Sequence, residues 1–295
     1  MLNIAVIGAG HLGEFHIKLL KSSKFFNLIG FHDLDKSRAK YIIDKYKISF
    51  IEITKISSLV DAVVISTPTS FHYESAVRFL NKKKHVFIEK PITSTIDQAK
   101  KLIEIKNNNK LTGQVGHVER FNSAFINIKN ALNPMFIESH RLSSYPSRGT
   151  DVSVVLDLMI HDIDIILSLV DSKITKISAN GTKIISTSPD IANARIEFEN
   201  GCVANLTSSR LSLKKMRKMR VFQRDSYISI DFDTGSSEII KVKDYDGKKK
   251  YAMTIHNSEG IEKEIQIDNI KNEKTNSIEE EHKNSFIFSP GRIPI

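Results

Sequence analysis

The sequence has one cysteine, no tryptophan, and no apolar run near the roughly 20 residues that a membrane-spanning helix requires. A lone Cys202 excludes an intramolecular disulfide, which fits a reducing cytoplasm; following the turn pair Asn200-Gly201, it is expected to be a packed strand residue. The N-terminus, Met-Leu-Asn-Ile-Ala-Val-Ile-Gly, lacks a basic stretch and a cleavage site, so it reads as a strand rather than a signal peptide. The formal charge of +9 would suit a nucleic-acid partner. The lysines are instead scattered through the chain among Ile and Asn, without the interleaved aromatics that stack on bases. The densest basic patch, Lys214-Lys215-Met216-Arg217-Lys218-Met219-Arg220, is expected to be a solvated loop or strand edge, with an acidic substrate or partner as the second reading. Neither nucleic acid nor membrane is expected as a partner, and no metal is expected.

What is present is a folded chain with room for two hydrophobic cores, at 295 residues and 40% hydrophobic content. Apolar strand patterns at Leu2–Ile7, Asn27–Asp33, Asp61–Thr67, His85–Glu89 and Leu111–Val118 alternate with helical patterns at His11–Ser22, Lys36–Lys47, Ser70–Lys83 and Thr95–Asn107. That alternation predicts an α/β unit, a parallel sheet covered on both faces. Beyond about residue 120 the pattern predicts one long helix, Val152–Val170, and then β-rich segments at 173–185, 192–199, 202–208, 219–222 and 227–231. Asn200-Gly201 between two alternating runs predicts a hairpin. We therefore expect a doubly wound domain over 1–118 and an α+β domain with a mainly antiparallel sheet over 119–295. The tail from Lys271 to Ile295 promises little regular structure.

Gly8-Ala9-Gly10-His11-Leu12-Gly13 falls between the first strand and the first helix. In a dinucleotide-binding turn Gly8 makes the bend, Gly10 admits the pyrophosphate and Gly13 lets helix and strand pack closely. Asp33 lies about 20 residues on, where a carboxylate accepts from the adenosine ribose hydroxyls and repels a 2′-phosphate. NAD is expected over NADP, although Lys36 and Arg38 could offset the repulsion. Thr67, Pro68, Thr69 and His72 leave one strand at the ligand-binding edge, and Glu89 and Lys90 leave the next. These residues, with His11 and Leu12, complete the expected cofactor contacts.

On an uninterrupted α-helix over 152–170, Asp157, His161, Asp164 and Ser168 share one stripe at i, i+4, i+7 and i+11, and Asp162 points elsewhere. The apolar residues cover most of the remaining circumference, so the helix should be buried. Ionisable groups on such a helix are either paired for structure or functional. Arg120 and Asn122 are candidates for a hinge or a substrate pocket, and His117 for core or site. Tyr145, Arg148 and Thr150 precede the helix and are placed to meet substrate, Arg148 by taking a phosphate or carboxylate.

In this order, GAGHLG, STPTSFH, FIEKPI, GHVERFN and DLMIHDID resemble the Gfo/Idh/MocA oxidoreductase family, from Leu2 to about Ser209. The resemblance implies a nicotinamide-dependent oxidoreductase acting on a sugar or polyol, with catalytic Lys90, Asp157 and His161. His161 would take the hydroxyl proton as hydride leaves, Asp157 would fix its tautomer, and Lys90 would polarise the oxygen. It also implies a cis bond before Pro91 and a homo-oligomer, dimer or tetramer, paired through the second sheet. GHVERFN and SRGTDVSVVLDLMIHDID are most similar to the branch that oxidises UDP-N-acetylglucosamine at the 3-hydroxyl, with Asp164 among the substrate residues. Two alternatives remain: a dehydrogenase or reductase of an unactivated sugar or cyclitol, and a cofactor-binding sensor without turnover. The second draws on a C-terminus that looks shortened beside the family.

Overall fold

The computed structural model describes residues 1–145, 152–245, 253–256, 258–271 and 275–287, with the backbone alone for 271 and 285–287. The chain divides into two compact units, one of residues 1–117 together with the chain from 278, the other of residues 118–277. The first unit thus takes back a C-terminal segment that the expected division at 118/119 assigns to the second.

In the first unit, β1 (Leu2–Ile7), β2 (Phe26–His32), β3 (Ala62–Ile65), β4 (His85–Glu89) and β5 (Gly113–Gly116) form a parallel sheet of order β2-β1-β3-β4-β5. Successive side chains of a strand point to opposite faces, and both faces here are buried. Ile4 and Val6 of β1 join Ala62 and Val64 of β3 in one core cluster, while Ala5 and Ile7 join Val63 and Ile65 in another. α1 (His11–Ser22) and α2 (Lys36–Tyr46) cover the first face through Ile17, Leu20, Ala39 and Ile42. α3 (Ile53–Leu59), α4 (His72–Asn81) and α5 (Ile96–Asn108) cover the second through Ile56, Phe79, Leu80 and Leu102. Asp35 caps α2 by accepting from the Ser37 and Arg38 amides. The strand order reverses between β1 and β3, so the loops leaving these two strands flank the crevice where open α/β sheets bind ligands.

The second unit holds α6 (Ser123–Ile126), β6 (Phe136–Leu142), α7 (Ile160–Leu169), and strands β7 (Ile174–Thr182), β8 (Ile191–Phe198) and β9 (Val203–Ser209). β10 (Met216–Gln223), β11 (Ser226–Asp231), β12 (Ser236–Asp244), β13 (Met253–His256) and β14 (Glu262–Lys271) extend the sheet. Its order is β13-β14-β12-β11-β10-β6-β9-β8-β7, antiparallel except for the parallel pair β6–β9. Ile137, Ala194, Ile196, Leu206, Met219, Val221 and Ile230 point to one face and pack on Met159, Ile165 and Ile166. The other face carries charge, including the pairs Arg220–Glu138 and Arg195–Glu197. The Asn200-Gly201 hairpin forms as expected, with Gly201 at φ +84° and β8 pairing β9; Cys202 is buried beside it.

Two expectations fail. The helix expected over Val152–Val170 is broken: a π-helical turn spans Val155–Met159 before α7 begins, and Leu156 and Leu167 are exposed. The tail is not irregular throughout, because α8 (Ser277–Ile287) forms in it. Among the described residues no helix is long and apolar enough to cross a membrane.

Candidate active site

β1 runs into the glycine loop, where each glycine answers a different constraint. Gly8 has φ +86°, and a Cβ there would lie 2.8 Å from the Ser66 carbonyl and the Thr67 nitrogen. A Cβ on Gly13 would collide with the Gly8 carbonyl oxygen and stand 2.9 Å from Ser66 Oγ. A Cβ on Gly10 would meet nothing within 4 Å, and Gly10 starts α1 without a side-chain cap. Gly10 thus leaves open space at the start of α1, which is what a pyrophosphate needs.

Asp33, just past β2, is tied to this loop: its carboxylate accepts from the Ala9 amide at 2.6 Å and the Asp35 amide at 2.8 Å. Arg38 is held beside it, donating from Nε to the Ala9 carbonyl at 2.6 Å and from Nη2 to the Gly10 carbonyl at 3.1 Å and to Glu14. Glu14 also accepts from Lys45 at 2.8 Å and Tyr46 at 2.9 Å. Burial pushes the Glu14 carboxyl upward, but hydrogen bonds from Lys45, Tyr46 and Arg38 outweigh it and bring the pKa down to about 2. Arg38 therefore already has an anionic partner within the protein. His11 and Leu12 are exposed at the start of α1.

The loop after β3 crosses against the glycines, Ser66 Oγ donating to the Gly8 carbonyl at 2.7 Å. Thr67 and Thr69 are half-buried and Pro68 is exposed. His72 departs from its expected cofactor contact. It is 1% exposed, with its ring nitrogens 2.8 Å from the Thr67 carbonyl and 2.9 Å from the Pro91 carbonyl, so it ties two loops together. Glu89 departs likewise. Its carboxylate is buried against the His16 ring at 2.8 Å and accepts the Lys90 amide at 3.2 Å. Lys90 is half-buried, and the Lys90–Pro91 bond is cis as the resemblance implies.

In the second unit, Asp157 lies in the π-helical turn and His161 in the first turn of α7, both half-buried. The wider turn alters the register, so the single stripe expected of an unbroken α-helix does not carry through. Asp164 is clamped by Arg120, Nε to Oδ2 at 2.5 Å and Nη2 to Oδ1 at 2.6 Å. Asn122 caps α6 by accepting from the Ala124 amide and donates to Glu119 and the Phe232 carbonyl. The expected substrate residues Arg120, Asn122 and Asp164 thus hold the fold around α7. Ser168 donates to the Ile165 carbonyl at 2.7 Å, and Tyr145 is 42% exposed with its hydroxyl 2.8 Å from Ser186 Oγ. Arg148 and Thr150 lie outside the described residues.

Two ionic groups that sequence reasoning missed brace this region. Arg141 of β6, buried, donates to Glu119 at 2.7 Å and to Asp162 at 2.7 Å, so residues 119 and 120 both reach α7 through charge. Burial pushes the Asp162 carboxyl up although Arg141 draws it back. Arg210 pairs with Asp190 at 2.9 Å and donates to the Val152 carbonyl at 2.9 Å, bracing the chain ahead of Asp157. For Arg141 the available signal was an arginine at an inward position of the alternating strand β6. Among the described residues no cluster of three or more His, Cys, Asp or Glu is arranged to hold a metal ion.

A glycine turn opening α1, an acidic residue after β2 tied to it, and a strand order that reverses beside it define a dinucleotide-binding protein. Residues 2–117 match the model of an oxidoreductase family with an NAD-binding Rossmann fold, and residues 97–236 match the Gfo/Idh/MocA C-terminal domain. The chain is 34% identical over 234 residues to a UDP-N-acetylglucosamine 3-dehydrogenase of Acidithiobacillus ferrooxidans, covering 78% of this chain and 74% of that protein. A solved structure of the enzyme so named from that organism superposes with a TM-score of 0.85 at 29% identity, over 96% of this chain and 87% of the other. A scyllo-inositol 2-dehydrogenase (NAD(+)) of Bacillus subtilis is 29% identical over 232 residues, covering 70% and 67%. The chain belongs to the Gfo/Idh/MocA oxidoreductase family, and its first unit is that family's NAD(P)-binding domain.

Proposed function

We propose that this protein oxidises the 3-hydroxyl of UDP-N-acetylglucosamine, or of a closely similar UDP-sugar, with NAD as hydride acceptor. The reading is carried by the likeness to the A. ferrooxidans enzyme, 34% identical over 234 residues. The preference for NAD rests on Asp33, anchored at the glycine loop, and on Arg38, whose guanidinium is engaged by Glu14 rather than open to a 2′-phosphate. Gly10 and the first turn of α1 hold the pyrophosphate, and Asp33 accepts from the adenosine ribose.

The bound nicotinamide supplies the hydride acceptor; the protein supplies proton and charge handling. His161 takes the proton from the substrate hydroxyl, Asp157 fixes the imidazole tautomer and stabilises its protonated form, and the Lys90 ammonium stabilises alkoxide character on the oxygen. The protein acts as a dimer or tetramer, which light scattering measures directly.

The test is NADH formation at 340 nm with UDP-N-acetylglucosamine, free N-acetylglucosamine and scyllo-inositol, for wild type, His161→Ala and Lys90→Met. We expect turnover of the nucleotide sugar alone and a loss of at least about 100-fold in either variant. Turnover of scyllo-inositol but not the nucleotide sugar would move the protein to the cyclitol reading, which the 29% identity to the B. subtilis enzyme favours. NADH binding without turnover of any of the three would make it a cofactor-binding sensor.

A further inference from the structure

The first unit contains a buried polar chain that binding and hydride transfer leave unexplained. His16 occupies a core position of α1 beside Gly13, Ile17 and Leu20 and is fully buried. Its Nε2 lies 2.8 Å from Glu89 Oε1, and its Nδ1 lies 2.7 Å from Nε2 of His282, on α8. The two rings stack at a centroid distance of 4.9 Å, with Phe87 edge-on to both. Glu89 Oε2 in turn accepts the backbone amide of Lys90. Gly116 backs the carboxylate, since a Cβ there would stand 3.1 Å from it.

We propose that His282, acting through His16 and Glu89, is a positioning residue that sets the backbone at Lys90; this rests on Lys90 being the catalytic lysine. An ionised carboxylate only accepts, so His16 must donate from Nε2 to Glu89. Its other ring nitrogen, Nδ1, is held by the residue at 282. Burial, together with the neighbouring His16, holds His282 well below the usual histidine range, so its ring stays neutral, with one nitrogen that donates and one that accepts. A hydrogen-bonded chain thereby links α8, through His16 and Glu89, to the Lys90 amide, which donates to Glu89. Without a polar partner at 282, His16 can switch tautomer or rotate, Glu89 loses its fixed partner, and the peptide that carries Lys90 gains freedom. A shift of about 1 Å in a catalytic group can lower turnover by as much as 100-fold.

Hydrogen bonding and packing predict opposite orders for two substitutions of similar size. Glutamine can hydrogen-bond to His16 but is costly to bury, whereas leucine packs well and cannot hydrogen-bond. We expect His282→Gln to keep kcat within about threefold of wild type, and His282→Leu to lower it by roughly 10- to 100-fold. KM for the sugar substrate and the NADH dissociation constant should stay unchanged, with melting temperature no lower in Leu than in Gln. Glu89→Gln supplies a second route should the α8 variants fold poorly. Its amide accepts from only one of His16 and Lys90, so it should show the same loss in kcat at constant KM. Equal kcat in Gln and Leu variants, or a loss that tracks melting temperature, would overturn the proposal. Lys90→Met separates the two claims. If it abolishes turnover while His282→Leu does not, positioning fails and the lysine stands; if it leaves turnover intact, or wild type turns over neither UDP-N-acetylglucosamine nor scyllo-inositol, both fall.

Discussion

Replacing Arg141 by Met tests the charge network under α7. The guanidinium makes hydrogen bonds of 2.7 Å to Glu119 and of 2.7 and 3.1 Å to Asp162, and it sits 5.7 Å from the Phe232 ring centroid. All three charged side chains are under 10% exposed. Burial alone would lower the arginine pKa, but Asp162 and Glu119 hold it above its usual range. Met keeps the stem volume and removes this cation, leaving Asp162 buried without it and Glu119 with Arg217 at 3.5 Å. Breaking a buried ion pair from one side destabilises by about 3–5 kcal/mol. For a unit of this size that lowers the melting temperature by roughly 6–20 °C, read by calorimetry on the transition of residues 118–277. The pH dependence carries the sign. Burial already raises the Asp162 carboxyl, and without Arg141 nothing from that cation draws it back, so the deficit vanishes below the unfolded pKa and is fully present once pH passes the raised folded one. The triple variant Arg141→Met/Glu119→Leu/Asp162→Leu should recover most of the loss. A deficit below about 1 kcal/mol, or one independent of pH, would refute the reasoning.

Gly10→Ala should leave the melting temperature unchanged yet weaken NADH binding by tenfold or more, about 1.4 kcal/mol, in a fluorescence titration. Gly13→Ala should lower both, because its Cβ meets the Gly8 carbonyl; equal behaviour of the two variants would contradict the loop geometry. Wild type should bind NAD at least about tenfold tighter than NADP, a gap of about 1.4 kcal/mol, and Asp33→Ser should narrow it. Glu14→Gln should also narrow it by loosening Arg38, and a preference unmoved by either change would sink the assignment. With the Glu14 pKa at about 2 against an ordinary 4.5, its stabilisation is present above the ordinary value and lost as pH falls toward the depressed one. Acid titration of Glu14→Gln should therefore show a shallower decline between those limits than wild type.

The Rossmann half was legible because its local signals agree with its packing: β1, β3 and β4 bury nearly every residue, and the glycine loop has one backbone solution. The rest was hidden wherever a buried position is polar. β6 alternates as a strand should, but its inward residues are Ile137, Ser139 and Arg141, so its pattern reads as mixed. α8 reads as a polar tail because, among its described side chains, the buried ones are Glu281 and His282. In each case the compensating group is distant in sequence, 21 residues for Arg141 to Asp162 and 266 for His16 to His282. No local window holds both halves of such a pair. The π-helical turn was hidden for another reason, since an apolar run of Val and Leu carries no mark of one added residue per turn. Of the expected site residues, the glycines and Asp33 meet in the loop that opens α1, whereas His72, Glu89, Asn122 and the Arg120–Asp164 pair make hydrogen bonds within the fold.

The contact between His16 and His282 also dictates an order of events during synthesis. A ribosome releases α1 early, and its central histidine can meet Glu89 73 residues later but lacks its second partner, His282, until 266 residues have followed it. The nascent first unit can form its parallel sheet and close its two apolar cores, but one seam stays open through the making of the entire second unit. Closing it joins residues 266 apart, a long loop whose entropic cost grows only slowly with length but whose formation is slow. The first unit to begin folding is therefore the last to finish.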